Sequence, residues 1–181
     1  MTTAMELLEY PHPILSKKCD YVEFGDPTVK DLTAEMVGKL YEWNGAGLAA
    51  PQVGVSKRVI VIDTRQEPKT VYVMVNPSIL LASEEMVESY EGCLSLPLLR
   101  ATVLRHSSVV LEYLDAAFER HELEADGFLA CCLQHELDHL DGMVYIDRLS
   151  RWKRAKAIRE YTKLRKMESG FSPGMDEGIC I

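Results

Sequence analysis

The segment "QHELDHLDG", Gln134 to Gly142, sets two histidines four residues apart with a carboxylate beside the first. On an α-helix, residues i and i+4 share a face one turn apart, so His135 and His139 converge on one point with Glu136 next to them. Two imidazoles suit a borderline divalent metal, and a carboxylate nearby can take a proton from water on that metal. His-Glu-x-x-His is the usual mark of a zinc protease, yet these five residues alone do not fix the chemistry.

The helix carrying the motif opens at Asp126, a suitable N-cap, and runs to about Asp141, where Gly142 ends it. At about 100° per residue, Phe128, Cys131, Cys132, His135 and His139 share one arc of about 100°. Leu129, Leu133, Leu137 and Leu140 form the adjacent arc, a core stripe. The Phe128–Cys131–Cys132 stripe therefore reads either as an apolar pocket beside the metal or as plain core.

Further out, Asp26-Pro27 starts a helix that Val29, Leu32, Met36 and Leu40 carry to about Trp43, where Asn44-Gly45 stops it. Runs at 58–63, 71–76, 108–114 and 118–125 are rich in β-branched and aromatic residues and read as strands. The short link Asp115-Ala116-Ala117 predicts an antiparallel hairpin. A last helix spans about Asp147 to Met167, with Trp152, Ala155, Ile158 and Thr162 as its packing face. Helix, strands, helix and helix in that order predict an α+β fold: one domain over 1–168, followed by an irregular Gly- and Pro-containing tail at 169–181.

With 181 residues and a 27% charged share, the chain suits one globular domain. No apolar run approaches the roughly 20 residues of a membrane span, and the N-terminus lacks a basic start followed by an apolar stretch. A cytoplasmic monomer with no membrane partner is the expectation. Five cysteines without regular spacing fit a reducing compartment, with Cys19 and Cys180 as free thiols. His12, His106 and His121 read as surface or local hydrogen-bonding residues. The net charge of −8 disfavours general nucleic-acid binding, but residues 151–166 carry eight Lys and Arg against Glu160. That local +7 leaves −15 on the rest of the chain.

A catalytic metal usually takes three protein ligands and keeps a place for water. No histidine follows His139, and Glu160 sits among basic residues, so neither common protease arrangement fits. Upstream, "YEGCLSLP" offers Cys93 as a thiolate. Together with "GAGLAAPQVG" at 45–54, three segments resemble the motifs of the peptide deformylase family. Gly45 to Gln52 is similar to its first motif, Glu91-Gly92-Cys93-Leu94-Ser95 is identical to the second motif of the bacterial type, and Gln134 to His139 is similar to the third. The likeness extends from about residue 6 to 168.

The resemblance implies antiparallel sheets packed around a central metal-binding helix, with a C-terminal helix, and removal of formate from N-formylmethionyl peptides. It implies one divalent ion, Fe2+ in the cell with Zn2+, Ni2+ or Co2+ as substitutes, held by Cys93, His135 and His139. Glu136 would be general acid and base, and Gln52 with the Leu94 N–H would form the oxyanion hole. Gly45, Ala46 and Gly47 would line the peptide site, with Glu91, Arg100, Phe128, Cys131 and Cys132 also on the substrate side. Ala46 departs from the Ile or Val common in the family, and the tail has no counterpart there. The basic stretch 151–166 reads either as a solvated surface or as a contact with the ribosome. A general metalloprotease and a non-catalytic metal module docking on the ribosome are the rival readings.

Overall fold

The motif helix is the middle of the molecule. In the computed structural model, which describes residues 5–67 and 69–168, every residue of this helix from Ala130 to Leu140 is buried. A helix buried all round is a core helix rather than a surface one. It spans Gly127–Leu140 and is numbered α2, after α1 (Val29–Glu42). Asp126 holds the N-cap position, though its side chain makes no capping hydrogen bond. Beyond the far end, Gly142 has φ +75°, and a Cβ there would lie 2.8 Å from the Lys17 backbone. Only glycine suits that crossing.

Among the described residues, seven strands surround it: β1 (Gly47–Ala49), β2 (Val59–Ile62), β3 (Tyr72–Ala82), β4 (Met86–Cys93), β5 (Leu96–His106), β6 (Ser108–Leu114) and β7 (Arg120–Asp126). Five form an antiparallel sheet in the order β1-β2-β3-β6-β7, and β4 and β5 form a separate antiparallel pair. The unbroken apolar run of β2 follows from burial on both faces. Ile60 and Ile62 pack with α2, whereas Val59 and Val61 pack with α1. On another side, α2 meets β5 through Gln134, whose side chain binds both the N–H and the carbonyl of His106 at 3.0 and 2.9 Å.

The α+β class and the antiparallel β6–β7 hairpin agree with the sequence reading. β3 runs six residues further than expected, to Ala82, and the β4–β5 pair was not anticipated. Phe118 belongs to the turn rather than to β7: its φ is 63°, and the Asp115 carboxylate holds the Ala117 and Glu119 N–H groups at 2.8 and 2.9 Å. Asp115, Glu119 and His121 bring possible metal-binding atoms together there, but at the surface, with Asp115 already engaged in the turn.

The last helix, α3 (Arg151–Glu168), packs differently from expectation. Ala157 and Tyr161 are buried and Ile158 is partly so, whereas Trp152 is 69% exposed and Ala155 and Thr162 face solvent. Tyr10 sets that face, meeting Tyr161 edge-on at 6.4 Å between ring centroids. The expected irregular tail, 169–181, lies outside the described residues. Among the described residues no helix is long and apolar enough to cross a membrane.

Candidate metal centre and active site

Three buried side chains from two elements converge. Cys93 ends β4, His135 and His139 lie one turn apart on α2, and their donor atoms lie within 4.8 Å of one another. Cys93 Sγ is 3.2 Å from His139 Nε2. One ion at metal–nitrogen and metal–sulfur lengths of about 2.1 and 2.3 Å needs tetrahedral donors roughly 3.3–3.6 Å apart, so the Cys93–His139 pair would open by a few tenths of an ångström to hold a single small cation. His135 Nδ1 lies 2.8 Å from Glu91 Oε2. A carboxylate only accepts, so Nδ1 carries the hydrogen and the Nε2 lone pair is left for the centre. That Nε2 is buried and has no hydrogen-bond partner, as a metal-binding nitrogen requires.

Behind His135 stands a buried ionic layer. Arg105 grips Glu91 with two hydrogen bonds of 2.8 Å and Asp138 with one of 2.6 Å. Arg148 also binds Asp138, at 3.0 Å through Nε. Burial works against ionisation of Glu91, but the bonds from Arg105 and His135 outweigh it and bring its pKa to about 2. Glu91 thus faces His135 and Arg105 and is fully buried. Tyr145 stacks on the His135 ring at 5.8 Å and 21°.

Glu136 occupies the other side. Both its oxygens are buried without a partner, and burial, then the nearby Glu91 charge, raises its pKa well above the ordinary carboxylate range. Burial, then the His135 and Arg105 charges, lowers that of His139. Gly47 is what lets Glu136 in: a Cβ on residue 47 would lie 2.3 Å from Glu136 Oε1 and 2.8 Å from its Cγ. Gln52 is aimed by a backbone contact. The Ala49 N–H donates to its Oε1 at 2.8 Å, which turns its NH2 toward Ser95 Oγ at 3.2 Å and Cys93 Sγ at 3.6 Å. Leu94 lies in the two-residue turn between β4 and β5, where a Cβ on Gly45 would come 2.9 Å from its Cδ1. Cys93, His135, His139, Glu136, Gln52, Leu94, Gly45 and Gly47 therefore form one neighbourhood.

The flanking residues divide. Ala46 and Cys132 are wholly buried in the core cluster between α2 and the large sheet, with Phe128 partly buried against it. Cys131 is 6% exposed and its thiol, raised above its usual pKa by burial, bonds Ser89. Arg100 pairs in register with Gly92, where a glycine Cβ would meet its guanidinium at 3.0 Å. Arg105 and Tyr145 went unmarked in the sequence reading, and Ser95 stood there within a motif but without a role. Alternation hides Arg105, because Leu104 is 56% exposed while Arg105 is 1% exposed.

A match to the polypeptide deformylase family spans residues 4–155. Peptide deformylase of Agrobacterium fabrum is 41% identical over 163 residues, covering 89% of this chain and 96% of that protein. The Phenylobacterium zucineum enzyme is 44% identical over 163 residues, with the same two coverages of 89% and 96%. The crystal structure of a peptide deformylase from Legionella pneumophila superimposes with a TM-score of 0.84 at 38% identity, covering 92% of this chain and 98% of that one. That from Ehrlichia chaffeensis gives 0.85 at 33% identity, covering 92% and 99%. A three-donor cluster, a buried carboxylate and this likeness along nearly the whole fold agree: the chain belongs to the polypeptide deformylase family of enzymes.

Proposed function

We propose that this enzyme hydrolyses the formyl amide of N-formylmethionyl peptides, releasing formate, with one divalent ion held by Cys93, His135 and His139. Peptide deformylases depend on a metal, and the donor set here supports that dependence. A thiolate gives the ion more electron density than a third imidazole would; ligand type alone admits zinc, ferrous iron, cobalt or nickel, and it is the family resemblance that implies ferrous iron as the working ion. When bound, the ion supplies a Lewis acid that lowers the pKa of water and polarises the formyl carbonyl.

Glu136 is the proton carrier in this reading. Its carboxylate, buried beside the donor cluster with no other partner, can take a proton from the attacking water and pass it to the departing amine. The Gln52 amide, oriented by Ala49, donates to the oxygen that gains charge, and the Leu94 N–H is the second donor. Glu91 and Arg105 keep the His135 ring in the tautomer that leaves Nε2 open. The edge strand β1 offers its backbone to an extended peptide. The observation that carries the reading is Glu136, buried and unpaired between the three-donor cluster and Gly47.

Anaerobically purified protein should release formate from formyl-Met-Ala-Ser and leave N-acetyl-Met-Ala-Ser and casein intact. Casein cleavage would indicate a general protease, and silence on all three a binding module. We further infer that the monomer approaches the ribosome through α3. Arg151, Lys153, Lys156, Arg159 and Lys163 are exposed along it, within a chain whose total charge is −8.

A further inference from the structure

Outside the metal centre, one cation, Arg65, stands beside the peptide edge with no ion pair from its guanidinium among the described residues. Arg65 has φ 56°, a left-handed conformation that costs an arginine roughly 1–2 kcal/mol. A local brace holds it: the Arg65 N–H donates to Asp63 Oδ1 at 2.7 Å, and Tyr41 O–H donates to Asp63 Oδ2 at 2.6 Å. The guanidinium lies 5.8 Å from the Tyr41 ring centroid, donates to the Asn44 side chain, and reaches the Gly45 carbonyl at 3.4 Å. All three contacts are to neutral groups. In a chain of net charge −8, Arg65 makes no ion pair among the described residues.

Where Arg65 stands along the edge follows from strand geometry. The Asp63 N–H donates to the Ala46 carbonyl at 2.9 Å, and Gly47 is opposite Ile62. Hydrogen-bonded pairs alternate in an antiparallel ladder, so Gly47 is turned away from β2, toward the open edge. Gly47 abuts Glu136, and Gln52, further along the chain, faces Cys93; β1 therefore runs toward the metal centre. A peptide with its blocked N-terminus at that centre must run the other way, back past Gly45. Residues two apart on a strand are separated by about 6.8 Å. If the first peptide residue sits opposite Gly47, the third sits opposite Gly45, under the Arg65 guanidinium.

We propose that Arg65 is a specificity-determining residue that favours a carboxylate at the third residue of the peptide. The carboxylate is either an acidic side chain or the free end of a tripeptide. The inference rests on the deformylase reading for its direction of binding. The Tyr41–Asp63 brace fixes the cation before the peptide arrives, so little side-chain freedom is lost on contact.

The test compares formyl-Met-Ala-Glu-amide with formyl-Met-Ala-Lys-amide, and formyl-Met-Ala-Ala with its amide. At low salt, kcat/KM should favour the Glu peptide over the Lys peptide by about fivefold, chiefly through KM. Arg65→Gln should erase the preference, Arg65→Glu should reverse it, and Arg65→Lys should keep part of it. A preference confined to the free over the amidated tripeptide would assign the carboxylate to the chain end. Binding of the matching N-acetyl peptides, measured by calorimetry, should rank the same way without turnover. If no peptide yields formate, the deformylase reading fails, while the binding ratio still tests Arg65. Equal values in both pairs for the wild-type protein, or a loss in Arg65→Gln that is uniform across peptides, would overturn the proposal.

Discussion

At Glu136, a carboxyl buried without a hydrogen-bond partner is a cost that a stability-driven core would remove. In the proposed reaction, that cost is offset because the carboxyl beside the three converging donors is the group that handles the proton. Glu136→Gln keeps the shape and removes that capacity, so turnover should fall by about a thousandfold while metal content, measured by atomic absorption, stays the same. Near-normal turnover would remove Glu136 from the proton path. Gly47→Ala tests the same carboxyl by displacement. Its Cβ would overlap Oε1 at 2.3 Å and press the Cγ at 2.8 Å, so the whole side chain must shift rather than its tip alone. A misplacement of about 1 Å can cost roughly a hundredfold, and kcat should drop by about that much with metal content unchanged. At this scale the sequence was most readable, because i,i+4 spacing converts directly into convergence. The partners of Glu91 were not readable because they lie 14 or more residues away, and the aim of Gln52 was not because it is set by one backbone N–H, that of Ala49.

Among the elements, the β4–β5 hairpin contributes both a donor and the layer behind His135. Replacing Arg105 by Met would leave Glu91 and Asp138 buried with fewer partners, and breaking such a pair from one side costs about 3–5 kcal/mol. Denaturant unfolding should show that loss. Adding Glu91→Gln should recover part of it, whereas Asp138 retains Arg148. A loss below about 1 kcal/mol would mean the layer is dispensable for folding. This hairpin was also the least legible element. β4 reads "MVESYEGC", with an exposed Met86, a 68% exposed Tyr90 and buried Ser89 and Glu91, which inverts the usual inside–outside pattern. By contrast β2, apolar throughout, and α2, bounded by Asp126 and Gly142, declared themselves. The packing face of α3 was misjudged because two helical stripes are available, and Tyr10, far away in sequence, selects the one containing Tyr161.

Over the whole molecule, charge is separated: +7 on residues 151–166 against −15 elsewhere. Within α3, Arg154 is occupied by Asp147 at 2.6 Å and Arg165 by Glu9, but Arg151, Lys153, Lys156, Arg159 and Lys163 are exposed and free of ion pairs among the described residues. Self-repulsion along one helix face destabilises it slightly, so the arrangement favours an anionic partner. For a phosphate-rich surface, each neutralised phosphate contributes about −0.7 to −0.9 to the slope of log affinity against log salt. Four or five contacts therefore predict a slope of about −3 to −4.5 for sedimentation with ribosomes. Replacing Lys153, Lys156, Arg159 and Lys163 together by Gln should abolish co-sedimentation and leave formate release from a short peptide intact. That separation is expected because α3 packs through Ala157, Ile158 and Tyr161, whereas the donor cluster is built on β4 and α2. Association that ignores salt, or that survives the fourfold change, would leave the basic face as solvated surface.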